Sequence, residues 1–166
     1  SASAGNRKKW TWSGWVKKTS PSTSSQYFMT CNSIPNYYSA FYFASNKLTY
    51  YDFNNTTSSY EAQLVTNRLF RDTNAWYHIV ISYDSAQATA ADRIKFYVNG
   101  VQETSFATSN YPSQNADSYQ NVSGYTQKIG VEDSAGYFEG IMSHVHFCDG
   151  YAYSASDFGS QDATTN

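Results

Sequence analysis

His144, His146 and Cys148 stand at alternate positions in YFEGIMSHVHFCDG, the stretch from Tyr137 to Gly150. All three are metal-ligating residue types. On an extended strand alternate side chains share a face, with their Cα atoms roughly 6.5–7 Å apart. Two imidazoles so spaced can chelate one zinc ion, with the thiol beyond them. A zinc centre needs a third or fourth ligand from elsewhere, and nothing in the chain selects one. The alternate set, Ile141, Ser143, Val145 and Phe147, is mostly apolar and suits a core. The pattern therefore predicts that His144 and His146 lie on the less buried face as polar residues, outside any metal centre.

Acid–base chemistry has a weaker signature still. Glycoside hydrolysis uses two carboxyl groups flanking one bond. Here Glu61, Glu103, Glu132 and Glu139 are scattered singly, and Glu132 and Asp133 are adjacent at an expected strand end, where alternation sends them to opposite faces. No G-x-S-x-G elbow is present for a nucleophilic serine. His78 alternates with Trp76 and Val80 inside the most strand-like stretch, which suits a packed histidine with a local hydrogen bond. Catalytic residues are thus expected to be none.

The elements that must position these residues read as strands. Period-2 alternation recurs in WTWSGWV (Trp10 to Val16), YFMTC (Tyr27 to Cys31), AFYFA (Ala40 to Ala44) and LTYYDF (Leu48 to Phe53). It continues in QLVTNRLF (Gln63 to Phe70), WYHIVISYD (Trp76 to Asp84), RIKFYV (Arg93 to Val98) and VQETSF (Val101 to Phe106). After a long polar loop from Thr108 to Gly124 come QKIGVE (Gln127 to Glu132) and Tyr137 to Cys148. Asn99-Gly100 between two β-rich runs marks a tight hairpin, because both turn residues must take positive φ. AQATAAD and SASDFG are short enough to be single helical turns. About ten or eleven closely spaced short strands imply an all-β, two-sheet antiparallel jelly-roll sandwich. The expected organisation is a polar arm at 1–9, one sandwich at 10–159 and a polar tail or linker at 160–166. The opening SASAGNRKK reads as an interior start, so a piece of a longer chain is expected.

Composition narrows the function. The chain has 166 residues, a size for one domain with one core. Net charge is −2, too weak a field to argue for nucleic acid or an anionic membrane. No apolar run approaches the roughly 20 residues that span a bilayer. Cys31 and Cys148 are too few for a disulfide scaffold; they are read as free thiols, with pairing open if facing strands bring them together. Aromatic content is 18%, with 16 Tyr against 10 Phe. So many phenols exceed what a core accommodates, because a buried hydroxyl needs a partner. Some tyrosines should be exposed as contact surface for sugar or protein.

TWSGWVK, WYHIVISYD, RIKFYVNGVQ and YFEGIMSHVHF, in that order, resemble the concanavalin A-like sandwich, and within it the laminin-G-like group. The matching residues are Trp15, Trp76 with His78, Tyr97 to Gly100, and Phe138 with Gly140. GNRKKWTWSGWVKK, FRDTNAWYHIVISYDSAQATAADRIKFYVNG and YFEGIMSHVHFCDGYAYSASDFG further resemble modules of tailed-phage virion proteins, including an Asp149-Gly150 to Phe158-Gly159 ending. That resemblance implies a virion surface module of a fibre, spike or capsid appendage. The laminin-G resemblance also leaves calcium open as a cofactor, with Asp52, Asn54, Asn55, Asp117 and Asp133 at strand ends or in loops but no set among them selected.

Three functions follow in order. The first is a non-catalytic module binding a host-surface glycan or another host-surface ligand, through Tyr37 and Tyr38 and the long-loop residues Tyr111, Asn115, Asp117, Tyr119 and Tyr125. Sugar C–H faces stack on aromatic rings, and sugar hydroxyls need amide and hydroxyl partners. The second is a structural or decoration module making protein contacts in the particle, as part of a larger chain or oligomer. The third is a polysaccharide-active enzyme, disfavoured by the missing carboxylate pair. Nucleic acid and membrane insertion are not expected.

Overall fold

The computed structural model describes residues 5–33, 35–133 and 135–159. The ends of the expected arm (1–4) and the expected tail (160–166) lie outside them. Among the described residues eleven strands follow one another: β1 (Lys9–Lys18), β2 (Gln26–Ser33), β3 (Tyr37–Ala44), β4 (Lys47–Asn54), β5 (Ser59–Thr66), β6 (Tyr77–Asp84), β7 (Ile94–Val98), β8 (Val101–Glu103), β9 (Phe106–Asn110), β10 (Thr126–Ile129) and β11 (Gly140–Asp149). They form a five-stranded sheet in the order β11-β1-β6-β7-β8 and a six-stranded sheet in the order β10-β2-β3-β4-β5-β9. Every described strand pairing is antiparallel.

One core lies between the sheets. Trp10 and Trp12, two apart on β1, point into it and are fully buried. Trp10 stacks on Tyr83 at 5.1 Å and on Phe147 at 5.7 Å. Trp12 reaches across the sandwich to stack on Phe28 at 5.9 Å. Tight turns hold the register. Asn99 and Gly100 both take positive φ between paired Val98 and Val101, as the Asn-Gly signal requires. Ser45 and Asn46 do the same between β3 and β4.

The outer face of the five-stranded sheet is covered by the chain's own end. The Thr11 hydroxyl donates to the Tyr151 carbonyl at 2.7 Å and accepts the Tyr153 N–H at 2.8 Å. The Phe158 ring lies 6.2 Å from both His78 and His146. A single 3-10 turn, Ala155–Asp157, makes this fold-back, within the SASDFG stretch expected to be helical. The N-terminal arm is docked too: the Asn6 N–H donates to Asp149 Oδ1 at 2.7 Å and the Arg7 Nε–H to the Ser118 carbonyl at 2.8 Å.

Several sequence expectations need correction. β5 ends at Thr66, so Leu69 and Phe70 lie beyond it; Phe70 enters the core from a loop and its N–H donates to the Asn46 carbonyl. The run Val101 to Phe106 is two strands: β8 ends at Glu103 and β9 starts at Phe106 in the other sheet. The long polar loop therefore begins after Asn110. β10 stops at Ile129, because Gly130 turns at φ 79°, and Glu132 and Asp133 are loop residues with no strand alternation.

The histidine strand departs from simple alternation as well. Ser13 pairs with His146 and Trp15 with Ser143, so Gly14 alone faces His144 and Val145. This is a β-bulge, with His144 at φ 49°. The extra residue changes the phase of the strand. Met142, Val145 and Phe147 pack on the core, while Ile141 is 50% exposed. The expected core set of Ile141 with Val145 and Phe147 is broken by that bulge.

Candidate functional site

Strand alternation gives the six-stranded sheet two aromatic faces. On β3, Phe41 and Phe43 enter the core while Tyr38 and Tyr42 flank Ala40 on the outside. On β4, Tyr50 points in and Tyr51 and Phe53 point out. Cross-strand pairing brings the outer rings together: Tyr27 opposite Tyr42, Tyr38 opposite Phe53, and Phe53 opposite Tyr60. Ala40 sits opposite Tyr51, and its small side chain leaves room for the rings around it.

The result is an open cleft of about 290 Å³ lined by Tyr27, Tyr38, Tyr42, Tyr51, Phe53, Tyr60 and Glu132. Tyr27 stacks on Tyr42 at 4.6 Å, and Tyr42 meets Tyr51 edge-on at 5.6 Å. Tyr60 lies 6.0 Å from Tyr51 and 4.8 Å from Phe53. The rings thus cross four strands as one surface. Burial and the nearby Glu132 carboxylate push the Tyr27 phenol up to about 12, and burial raises Tyr42 and Tyr51 further. Near neutral pH all three are un-ionised hydroxyls able to donate and accept.

Glu132 reaches the cleft from the connection between β10 and β11. That loop is pinned over β2 by the Tyr27 N–H to the Gly136 carbonyl at 3.1 Å and by the Thr30 hydroxyl to the Val131 carbonyl at 3.2 Å. Gly136 has φ +67°, and a Cβ there would lie 2.7 Å from the Tyr27 ring. Only glycine allows that close approach at that backbone angle. The Tyr51 hydroxyl donates to Glu132 Oε1 at 3.3 Å. Among the described residues that line the cleft, Glu132 is the one carboxylate, whereas glycoside hydrolysis uses two.

Of the residues singled out from sequence, Tyr38 lies in this cleft. Tyr37, Tyr119 and Tyr125 form a separate cluster, with Tyr37 at 4.7 Å from Tyr119 and 6.3 Å from Tyr125. Tyr111 packs on the main core. Asn115 and Asp117 sit beside the five-stranded sheet: the Asn115 N–H donates to the Ser85 carbonyl at 2.8 Å, and Asp117 pairs with Arg7 at 3.6 Å. The seven residues therefore do not form one site. Tyr27, Tyr42, Tyr51, Phe53, Tyr60 and Glu132, which line the cleft with Tyr38, are not among those seven. Their signal was available in part: YYSAFYFA and LTYYDF carry aromatics in both alternation phases, which implies a sheet aromatic on both faces.

The calcium candidates are dispersed. Asp52 is buried and accepts the Tyr119 N–H at 3.2 Å; burial pushes its carboxyl up to about 6. Asn54 Oδ1 accepts the Thr56 N–H, the Asn55 side chain donates to the Pro35 carbonyl, and Asp133 pairs with Lys128. Among the described residues no three His, Cys, Asp or Glu come together as a metal group. Cys31 and Cys148 are free thiols in different sheets.

A second cleft, about 340 Å³ and mostly apolar, is lined by Trp15, Trp76, Ser143 and His144. The bulge sets His144 beside the two indoles, with its Nδ1 hydrogen-bonded to Ser143 Oγ at 2.7 Å. His146 instead faces Phe158. Trp15 stacks on His78 at 5.0 Å, and His78 Nε2 bonds Ser13 Oγ at 3.0 Å. Burial lowers the His78 pKa, consistent with a packed neutral imidazole.

A laminin-G model described as the concanavalin A-like lectin/glucanases superfamily matches residues 1–157. No curated protein matches the chain. Among solved structures, domain 4 of AbnA, a GH43 extracellular arabinanase from Geobacillus stearothermophilus in complex with arabinotriose, aligns at TM-score 0.56 and 17% identity over 91% of this chain and 64% of that one. The botulinum neurotoxin serotype G binding domain aligns at 0.55 and 12%, over 92% and 35%. The binding domain of Paraclostridial Mosquitocidal Protein 1 aligns at 0.51 and 13%, over 92% and 36%. In each case this chain spans less than two thirds of the matched structure, and at these identities the likeness is one of fold.

Proposed function

This chain belongs to the concanavalin A-like lectin/glucanases superfamily, and on that premise we propose that it is a non-catalytic laminin-G-like module that binds glycan through its tyrosine cleft. The observation that carries this reading is the continuous aromatic surface of Tyr27, Tyr42, Tyr51, Phe53 and Tyr60, bordered by phenol hydroxyls and one carboxylate. Such a surface offers ring faces to sugar C–H groups and hydrogen-bonding partners to sugar hydroxyls. A fold neighbour crystallised with arabinotriose and two named as binding domains support a recognition role. The resemblance of GNRKKWTWSGWVKK and YFEGIMSHVHFCDGYAYSASDFG to tailed-phage modules supports placing it on a virion surface, facing host glycan. A glycan-array screen followed by calorimetry tests the reading. Saturable binding lost in Tyr42→Ala is expected; a folded protein that binds no glycan overturns it.

A second reading, a decoration module making protein contacts in the particle, is favoured by Trp15 and Trp76, which are 40% and 39% exposed on the other sheet. Light scattering distinguishes it: a defined oligomer that Trp76→Ala dissociates supports an interface there.

A further inference from the structure

We infer that the tyrosine cleft selects glycans carrying a positive charge, either an amino sugar or a quaternary ammonium substituent. The inference rests on the glycan-binding reading and names the ligand class within it. Five tyrosines and one phenylalanine line the cleft, and none of its seven lining residues is Lys, Arg or His. Aromatic faces carry negative electrostatic potential and attract cations, most strongly when the site is partly desolvated. Glu132 adds a full negative charge at the same place, and its hydrogen bond from Tyr51 leaves lone pairs to spare. Among the described ion pairs none engages Glu132.

Lys128 is a cation on the neighbouring strand β10. It lies opposite Thr30 in the β10–β2 ladder, and its ammonium is paired with Asp133. Its described ion pair is with Asp133 and not with Glu132. An anionic sugar would meet the Glu132 carboxylate and the negative ring faces with no cation among the lining residues. A neutral sugar would use the rings and hydroxyls alone. An ammonium group would use the rings and the carboxylate together, as in the aromatic cages that hold quaternary ammonium ligands.

Calorimetry or ligand-observed NMR on the 166-residue chain tests this with matched probes. The pairs are choline against its uncharged carbon isostere 3,3-dimethyl-1-butanol, and glucosamine at pH 6 against N-acetylglucosamine, with glucuronic acid as the anionic control. The charged member of either pair is expected to bind about tenfold more tightly than its neutral partner, and glucuronic acid most weakly. Which pair shows the preference separates an amino sugar from a quaternary ammonium substituent. Glu132→Gln keeps an acceptor for the Tyr51 hydroxyl, so it should fold normally and lose most of the preference while retaining neutral ligands. Neutral glycans that bind as well as cationic ones, or tighter binding of glucuronic acid, would overturn the charge selection and leave the glycan reading standing. Failure of every probe, alongside a blank glycan array, would overturn both.

Discussion

The Tyr51 hydroxyl donates to Glu132 Oε1 at 3.3 Å, joining a central strand to a loop residue 81 positions away. Together with the bonds that pin the loop over β2, it holds a carboxylate against aromatic rings from four strands. The aromatic residues and the carboxylate come from opposite halves of the chain, so the cleft exists only in the folded sandwich. Its parts also differ in burial, which separates effects on binding from effects on folding.

Tyr60 is 47% exposed and closes one side of the cleft. Tyr60→Ala removes its ring contacts with Phe53 and Tyr51 but opens no core cavity. Denaturant unfolding should show a loss below about 1.5 kcal/mol, whereas calorimetry should show glycan affinity falling about tenfold. Unchanged affinity would move the ligand off this face.

Asp52 shapes the acid limb of stability. Its carboxyl is held up to about 6 by burial, against an ordinary value of 3.8. A carboxyl raised in the folded state binds its proton more tightly there than in the unfolded chain. Stability from this group therefore rises as pH falls from about 6 to about 4, by on the order of 2–3 kcal/mol, and is lost as pH rises back through 6. Asp84 is shifted downward and acts in the opposite sense at lower pH, so the informative quantity is the difference between variant and wild type. The wild-type minus Asp52→Asn difference in unfolding free energy should fall by that amount as pH rises from 4 to 7. Parallel curves would refute the assignment.

His144 occupies the left-handed region at φ 49° within the β11 bulge. A non-glycine residue there is strained, and glycine is not. His144→Gly should raise stability by about 0.5–1 kcal/mol in denaturant unfolding, less the small contribution of its exposed bond to Ser143. A clear loss would mean that the imidazole holds the bulge in place.

Thr11 clamps the C-terminal segment through two hydrogen bonds and is fully buried. Thr11→Val keeps the shape and removes both. It leaves the Tyr151 carbonyl and Tyr153 N–H without that partner, and should destabilise by about 1–3 kcal/mol. Hydrogen exchange should then speed up at Tyr153 more than in β6.

Much of the scaffold was legible because its signals are local. Alternation marked most strands, Asn99-Gly100 marked its hairpin, and YFEGIMSHVHFCDG marked the closing strand. The errors fell where tertiary pairing overrides local pattern. Nothing in VQETSF announces that the chain leaves one sheet after Glu103 and joins the other at Phe106. Nothing in HVHFC announces the extra residue opposite Gly14.

The site was less legible for the same reason. Tyr38 was singled out, but as a loop neighbour of Tyr37, and the structure sends the two rings to different clusters. Fold class, the excess of tyrosine and the isolation of the glutamates follow from composition and period-2 spacing alone. Which tyrosines share a face, and that Glu132 is the carboxylate joining them among the described lining residues, depends on how the strands pair. Register between strands distant in sequence sets those contacts, and a one-residue shift in pairing moves a side chain to the opposite face.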